Sequence, residues 1–418
     1  MHVKSHLGSL SILTSLFFIW GFITCLNDIL IPHLKAVFEL NYTQAMLVQL
    51  CFFTAYFLVS IPSGLLIEKI GYKSGIVIGL LVAGIGCFLF YPAAALHQYS
   101  LFLFALFVLA SGITLLQVAA NPYVTILGRP ETASSRLTLT QAFNSLGTAI
   151  APFLGSIWLL SIPVKSASEV QALAGDELVA YQAMEAANVQ YPYLIIAAVL
   201  WALSLIFLFL KLPQPFAVDT VDTVSSKDNK GSAWQHLSLR LGVLGIFLYV
   251  GAEVAIGSFM VSFLTQPNIT GMSIENAGQL VSLYWGGAML GRFIGAWLMQ
   301  YFRAGVVLAI HGMLACILVL VASQTDGELA KWSLLAVGLC NSIMFPTLFS
   351  LALTGLGQHS GEGSGYLCSA IVGGALIPVL QGVLTDQWGL QLALLLPATC
   401  YAFIMYYGWR FRSLAEPT

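Results

Sequence analysis

The chain has 418 residues, of which 58% are hydrophobic and only 8% are charged, and its formal net charge is −2. Soluble globular domains carry about a quarter of charged residues, so this composition excludes a water-soluble fold of this length. The sequence has no basic stripe and no RNA-binding motif, so we expect no nucleic-acid partner. We therefore expect an all-α integral membrane protein whose surroundings are the lipid bilayer.

The sequence divides into twelve apolar segments, each long enough to cross a bilayer, for which about 20 residues are needed. These predicted spans cover residues 10–33, 44–67, 74–96, 101–127, 137–162, 191–210, 238–265, 274–300, 304–324, 330–355, 362–385 and 388–409. The first span is followed at once by others and has no small-residue cleavage site behind it. We therefore expect a retained helix rather than a signal peptide.

The basic residues distinguish the two sides of the membrane, because Lys and Arg are retained in the cytoplasm. With the N-terminus inside, twelve of the 16 basic residues are cytoplasmic, three are outside and Arg292 is within a span. This bias predicts a multi-pass protein of the cell (inner) membrane with both termini in the cytoplasm.

A long polar stretch separates span six from span seven and divides the chain into two halves. We predict an N-terminal six-helix bundle over residues 1–210, a cytoplasmic linker over 211–237 and a C-terminal six-helix bundle over 238–418. A second polar stretch, 165–190, lies outside and is expected to form either a short surface helix or a solvated loop. The six-plus-six layout is that of the major facilitator fold, whose halves rock about a site near the bilayer midplane.

A weak internal repeat supports this division. Residues 64–73 cross from span two into the next loop, and residues 291–303 stand at the equivalent place in the second half. Charges at helix ends can hold a cytoplasmic gate closed, and we assign Glu68, Lys69 and Arg292 to that gate. We expect the Arg292 side chain to extend to the cytoplasmic helix end and not to pair directly with Glu253.

Span one carries a carboxylate, Asp28, near its outer end. An ionisable group in a span is costly unless it faces a polar cavity or a partner, so Asp28 is a candidate ion-coupling residue. Trp20, Thr24 and Asn27 recur at helical spacing in the same span. An aromatic ring can cover the apolar face of a sugar while polar groups bind its hydroxyls. An interfacial or core position is an equal alternative for Trp20.

Four amides occupy spans four and five: Gln117 and Asn121 are four residues apart, and Gln141 and Asn144 are three apart. Each pair lies on one face of its helix. Amides both donate and accept hydrogen bonds, as a ligand rich in hydroxyls requires. We predict that the four bind substrate, with hydrogen bonds to neighbouring helices as the alternative.

The second half contributes further polar and aromatic candidates within its spans. They are Tyr249 and Glu253 on span seven, Tyr284 and Trp285 on span eight, Asn341 on span ten and Gln381 on span eleven. We expect Tyr249, Tyr284, Trp285 and Asn341 to contact substrate. Glu253 is either a second ion-coupling group or a structural partner.

Three motifs carry a resemblance to a known family. They are Trp-Gly-Phe-Ile-Thr-Cys-Leu-Asn-Asp-Ile-Leu (20–30), Gln-Val-Ala-Ala-Asn-Pro-Tyr (117–123) and Arg-Leu-Thr-Leu-Thr-Gln-Ala-Phe-Asn-Ser-Leu-Gly (136–147). Through them the chain resembles the fucose:proton symporter family of the major facilitator superfamily. The segment 30–35 is similar to that of bacterial glucose/galactose transporters.

The resemblance implies uptake of a monosaccharide together with a cation. It implies that Asp28 is a protonation site and that Gln141 and Asn144 lie in the central sugar cavity. The family's second functional glutamate stands where this chain has Gln117, so Asp28 acts alone or shares the task with Glu253. Because animal relatives of the family are described as sodium-coupled, the coupling ion is H+ or Na+.

We therefore predict a secondary active transporter that imports a hexose of the glucose/galactose class by cation symport and alternating access. A major facilitator exporter acting as a sugar or drug antiporter, and fucose-type specificity, are the alternatives. The sequence has no nucleophile–base pair, metal-ligand spacing or nucleotide loop, so we expect neither an enzyme nor a cofactor. The expected partners are a monosaccharide and the lipid bilayer, and the expected state is a monomer.

Overall fold

The structure, a computed structural model, describes residues 8, 10–25, 42–96, 98–159, 175–210 and 232–414. The predicted site residues Asn27 and Asp28 and most of the predicted linker lie outside these ranges. The described residues form α-helices, short 3-10 turns and connecting loops, and no strand occurs among them.

Each of the twelve predicted spans contains helix, which confirms the twelve-helix architecture. The helices are α1 (Leu10–Cys25), α2 (Tyr42–Ile70), α3 (Tyr72–Ala95), α4 (Tyr99–Ile126), α5 (Ala133–Leu159), α6 (Asp176–Phe209), α7 (Leu237–Leu264), α8 (Ile274–Leu298), α9 (Ala304–Gln324), α10 (Gly327–Asn341), α11 (Met344–Leu353), α12 (Ser360–Ser369), α13 (Gly373–Trp388), α14 (Leu390–Ala393) and α15 (Leu395–Arg410). Nine helical stretches within the described ranges are long and apolar enough to cross a membrane.

The helices expose large apolar side chains that a water-soluble protein would bury. Phe57, Leu58, Leu205 and Phe209 are each more than half exposed. In a bilayer such side chains face lipid hydrocarbon, which is as apolar as they are. The exposed surface therefore agrees with the exclusion of a soluble fold.

The helix of span six begins earlier than its apolar segment does. The predicted span was 191–210, whereas α6 starts at Asp176 and continues through Pro192. Ten of the sixteen residues before Pro192 in this helix are alanine, glutamate, glutamine, leucine or methionine, which are strong helix formers. The end of the outer polar stretch is therefore neither a separate surface helix nor a loop, but the first part of a long helix.

Span ten is interrupted near its middle, where α10 ends at Asn341 and α11 begins at Met344. Pro346 explains the interruption, because a proline lacks the N–H that would bond to the carbonyl four residues earlier and its ring clashes with that carbonyl. The carbonyl concerned belongs to Ser342. Span eleven is also irregular, since a 3-10 turn over Ala370–Val372 separates α12 from α13.

The chain forms two compact units. One comprises Met1–Thr14, Asn121–Ala142 and Leu212–Thr418, and the other comprises Ser15–Ala120 and Phe143–Lys211. The end of α4 and the start of α5 therefore group with the C-terminal half, although they belong to the N-terminal half in sequence. The predicted bundle boundaries stay a prediction.

Two buried serines at the start of α5 connect this segment to the rest of its unit. The Ser134 hydroxyl lies 2.6 Å from the Ser350 hydroxyl, and the Ser135 hydroxyl donates to the Ala296 carbonyl over 2.5 Å. Hydrogen bonds between helices are the normal way in which hydroxyls are satisfied inside a membrane protein.

Glycine permits the close packing of α8 against α10. A Cβ atom at Gly338 would overlap the carbonyl oxygen of Tyr284. Small residues let helix backbones approach in this way. The contact holds α8 and α10 together at the level of Tyr284.

We predict that Gly338→Ala destabilises the protein by about 1–3 kcal/mol, because the new methyl group must push α8 and α10 apart. Gly286→Ala is the matched control, since a Cβ at Gly286 has nothing within 4 Å. The control should be neutral or stabilising by up to about 1 kcal/mol, since alanine has the higher helix propensity. Thermal unfolding in detergent would measure both, and equal behaviour of the two variants would contradict the packing.

Candidate functional site

A chain of buried hydrogen bonds connects α7, α8 and α10. The Tyr249 hydroxyl donates to the Asn341 carbonyl over 3.1 Å, and the Asn341 Nδ2 donates to the Tyr284 hydroxyl over 2.7 Å. The Tyr284 hydroxyl in turn donates to the Glu253 carbonyl over 3.2 Å. All three of Tyr249, Tyr284 and Asn341 are almost completely buried. The structure therefore brings these predicted residues together, and they bond to one another.

Arg292 binds the backbone at the interruption of span ten. Its Nε donates to the Ser342 carbonyl over 3.1 Å, which is the carbonyl that Pro346 leaves without a helical partner. Since Ser342 lies near the middle of span ten, the Arg292 side chain points into the bundle. The expectation that it extends to the helix end is therefore wrong, because a freed carbonyl inside the bundle attracts the guanidinium more strongly than the helix end does. Its assignment to a cytoplasmic gate stays a prediction.

Glu253 lies one turn after Tyr249 on α7 and is partly exposed. The Arg292 guanidinium and the Tyr249 hydroxyl interact electrostatically with its carboxylate. A carboxylate in a membrane span is stabilised by such a neighbouring positive charge and by hydrogen-bond donors. Glu253 thus has a polar environment that spans seven and eight supply together.

In the first half, two of the predicted amides bond to neighbouring helices. The Tyr56 hydroxyl on α2 donates to Gln117 Oε1 over 2.9 Å, and Asn144 Nδ2 on α5 donates to the Phe17 carbonyl of α1 over 2.9 Å. Gln117 is buried, whereas Asn144 is partly exposed. Asn144 can therefore meet a solute without leaving its place.

The other two amides bond to each other. Gln141 Nε2 donates to Asn121 Oδ1 over 3.3 Å. Asn121 is fully buried, and its Nδ2 has no hydrogen-bond partner among the residues that the structure describes. A buried amide with an open donor is uncommon and needs an explanation such as a ligand or a water molecule.

Arg136, which belongs to the third sequence motif, holds the end of α4. Its guanidinium donates to the carbonyls of Thr125 over 2.8 Å and Arg129 over 2.7 Å, and to that of Val124 over 3.4 Å. A cation at a helix C-terminus satisfies free carbonyls and the helix dipole together. Arg136 thereby positions α4, which carries Asn121.

Trp20 and Thr24 are not joined to the amides by any hydrogen bond of the described residues. Trp20 is 9% exposed, packs 5.3 Å from the Phe17 ring and lines a small cavity whose other walls are aliphatic, with Leu80 and Leu109 among them. The Thr24 hydroxyl donates to the carbonyls of Trp20 and Gly21 in its own helix. These contacts agree with the core alternative for Trp20.

The remaining predicted residues are more exposed. Trp285 is 46% exposed and meets the Tyr284 ring edge-on, with ring centroids 5.1 Å apart. Glu68 and Lys69 are exposed in the last turn of α2. A lysine there is favourable, because cations stabilise helix C-termini.

Sequence reasoning missed Tyr56 and Tyr401. Tyr56 bonds to Gln117, and Tyr401 is fully buried on α15, where its hydroxyl has no hydrogen-bond partner among the described residues. Buried tyrosine hydroxyls usually have a hydrogen-bond partner, so a tyrosine within an apolar span is the signal that could have identified both.

Comparisons with known proteins agree with this architecture. The family model for the Major Facilitator Superfamily matches residues 12–370. The chain is 55% identical over 405 residues to a glucose/galactose transporter of Brucella abortus, covering 97% of this chain and 94% of that protein. It is 36% identical over 420 residues to the L-fucose-proton symporter of Escherichia coli, covering 98% and 94%.

A solved structure gives the same result. The crystal structure of the transporter FucP in the outward conformation superposes with a TM-score of 0.89 at 35% identity, covering 98% of this chain and 99% of that one. Full-length similarity at this identity establishes family membership as well as fold. The chain belongs to the major facilitator superfamily of membrane transporters, in the group that includes the fucose:proton symporters and the glucose/galactose transporters.

Proposed function

We propose that the protein imports a hexose of the glucose/galactose class together with a proton, by alternating access. The observation that carries this proposal is the 55% identity, over nearly the whole chain, to a protein named as a glucose/galactose transporter. Similarity to two L-fucose-proton symporters favours the proton as the coupling ion. Sodium would need several further oxygen ligands around its carboxylate.

In this proposal Asp28 takes up the proton. An ionised carboxylate opposes closure of a dry cavity around it, because its desolvation is unfavourable. Protonation removes the charge, so the loaded protein can change its access from one side to the other. Release of sugar and proton on the second side then resets the cycle. The bundles of residues 1–210 and 238–418, with linker 211–237 and both termini in the cytoplasm, are part of the same proposal.

Asn121, Gln141 and Asn144 are our leading sugar ligands. The open Nδ2 of Asn121 and the partial exposure of Asn144 support this choice. Amides bind hydroxyls well, since each both donates and accepts. We rank Tyr249, Tyr284 and Asn341 second as sugar ligands, because they would have to exchange their present hydrogen bonds for bonds to sugar hydroxyls.

We further propose that Glu253 and Arg292 act as a charge-compensating pair that supports the second-half network. Their electrostatic interaction and the bond from Arg292 to the Ser342 carbonyl support this role. A pair of this kind is destabilising when only one member is removed, because the other charge remains uncompensated. In this proposal Glu253 assists Asp28 through its contribution to the electrostatic field in the second half, and it does not carry a second proton.

For Asp28→Asn we predict loss of proton-driven accumulation with retention of sugar exchange, since the neutral amide mimics the protonated state. Uptake and counterflow of labelled glucose and galactose in proteoliposomes, with and without an imposed proton gradient, would measure this. Asp386→Asn, at an exposed acid on α13, is the control and should transport normally. Full concentrative uptake by Asp28→Asn would contradict the assignment.

For Asn144→Ala we predict at least a tenfold weaker apparent affinity for hexose, which corresponds to about 1.4 kcal/mol or more and is typical of a lost hydrogen bond to a buried ligand. Thr148→Val is the matched control one turn further along α5, because the Thr148 hydroxyl donates to the backbone carbonyl of Asn144. Counterflow at graded sugar concentrations gives both affinities. An unchanged affinity in Asn144→Ala would remove this residue from the sugar site.

For the charge pair we predict that the double variant Glu253→Gln/Arg292→Gln destabilises the protein less than the sum of the two single variants. The coupling free energy should be about 1 kcal/mol, which allows for the partial exposure of both groups. Thermal unfolding of all four proteins in detergent provides this double-mutant cycle. Strict additivity would show that the two charges do not compensate one another.

A further inference from the structure

Gln381 is a buried amide that the site described above does not use. It lies on α13 and is fully buried. Neither its Oε1 nor its Nε2 has a hydrogen-bond partner among the described residues. Most buried polar side-chain atoms are hydrogen-bonded, so a glutamine with both amide atoms open is exceptional.

The packing of α13 against α7 indicates which part of α7 lies near Gln381. A Cβ at Gly373 would overlap the Phe247 carbonyl, and a Cβ at Gly251 would overlap the Ile377 side chain. These contacts advance by four residues on both helices. The next level therefore brings Gln381 beside Ala255, which is two residues, or about 3 Å along the axis, beyond Glu253.

A polar side chain is unusual at this buried position of α13. The buried residues of α13 are Gly373, Gly374, Ile377 and Gln381, so Gln381 is the polar member of an otherwise apolar stripe. A leucine or methionine could fill the same volume without leaving two polar atoms unsatisfied. The amide thus has no structural advantage in the arrangement that we describe.

The helical structure around α13 also favours a movement of α13 against α7. A 3-10 turn at Ala370–Val372 precedes α13, and Pro378 within α13 removes one helical hydrogen bond. Glycine at Gly373 lets α13 contact the α7 backbone at Phe247, and Gly251 leaves space for the Ile377 side chain. A helix with a local break of this kind is suited to a small hinge movement.

We propose that Gln381 is a sugar-hydroxyl ligand, which acquires its partners when hexose binds and α13 moves against α7. Its Nε2 donates to one hydroxyl oxygen and its Oε1 accepts from a neighbouring hydroxyl, which is the bidentate pattern that a primary amide offers to a vicinal diol. This inference rests on the proposed hexose transport. It adds a specificity-determining residue on span eleven to the amides of spans four and five.

Gln381→Met tests this proposal because methionine has nearly the same volume and flexibility but offers neither a donor nor a strong acceptor. We expect the purified, sugar-free variant to be at least as thermostable as the unmodified protein. Its dissociation constant for glucose or galactose should rise at least tenfold. The variant should also bind the deoxyhexose that lacks the contacted hydroxyl as well as it binds the parent sugar, whereas the unmodified protein should discriminate between them.

Thr385→Val is the matched control, since the Thr385 hydroxyl, one turn further along α13, donates to the backbone carbonyl of Gln381. It should bind hexose normally. Gln381→Leu serves as a second variant with the same expected outcome. Unchanged hexose affinity in both Gln381 variants would overturn the inference, and so would a clear loss of sugar-free thermostability in both, because the amide would then have a structural partner. Failure of the unmodified protein to bind any hexose would instead overturn the proposed function together with this inference.

Discussion

A polar group inside a membrane must find its partner within the protein, and the second half of this transporter is organised by that requirement. Pro346 deprives the Ser342 carbonyl of its helical hydrogen bond, and the Arg292 guanidinium supplies the replacement. Because the replacement comes from α8, an interruption in span ten becomes a connection between two spans. The break is thus stabilised by tertiary contacts.

The same requirement explains the bonds among Tyr249, Tyr284 and Asn341. Each hydroxyl or amide satisfies a group on another helix, and the chain ends at the backbone of Glu253. A change of charge at Glu253 or Arg292 would therefore be felt by α7, α8 and α10 together. In a protein whose helices must move as groups, such a network makes the group rigid while leaving its neighbours free to shift.

The first half also leaves hydrogen-bonding capacity open among the residues that the structure describes. Gln117 and Asn144 are bonded to α2 and α1, but Asn121 has an open donor and Asn144 is partly exposed. Open hydrogen-bonding capacity in a span is destabilising unless a ligand or water completes it. Completion by a hydroxylated solute is the simplest way for a transporter to make its closed state depend on its substrate.

Segment length and apolar composition were sufficient to predict all twelve spans, because the bilayer imposes a minimum length on each helix. The long extension of α6 before Pro192 was not predicted, since helix propensity outside the apolar segment carries no hydropathy signal. The motifs likewise identified the family before any geometry was known. They marked Gln117, Asn121, Gln141 and Asn144 as polar residues of interest, because amides are rare in apolar spans.

Only the tertiary structure decided which partner each of these groups meets. Arg292 turns inward rather than to the helix end because a carbonyl freed on another helix lies within its reach. Trp20 lies against aliphatic side chains and Tyr56 bonds to Gln117 for the same reason: neighbours distant in sequence determine the environment. Helical periodicity specifies the face on which a side chain lies, whereas packing between helices specifies what that face touches.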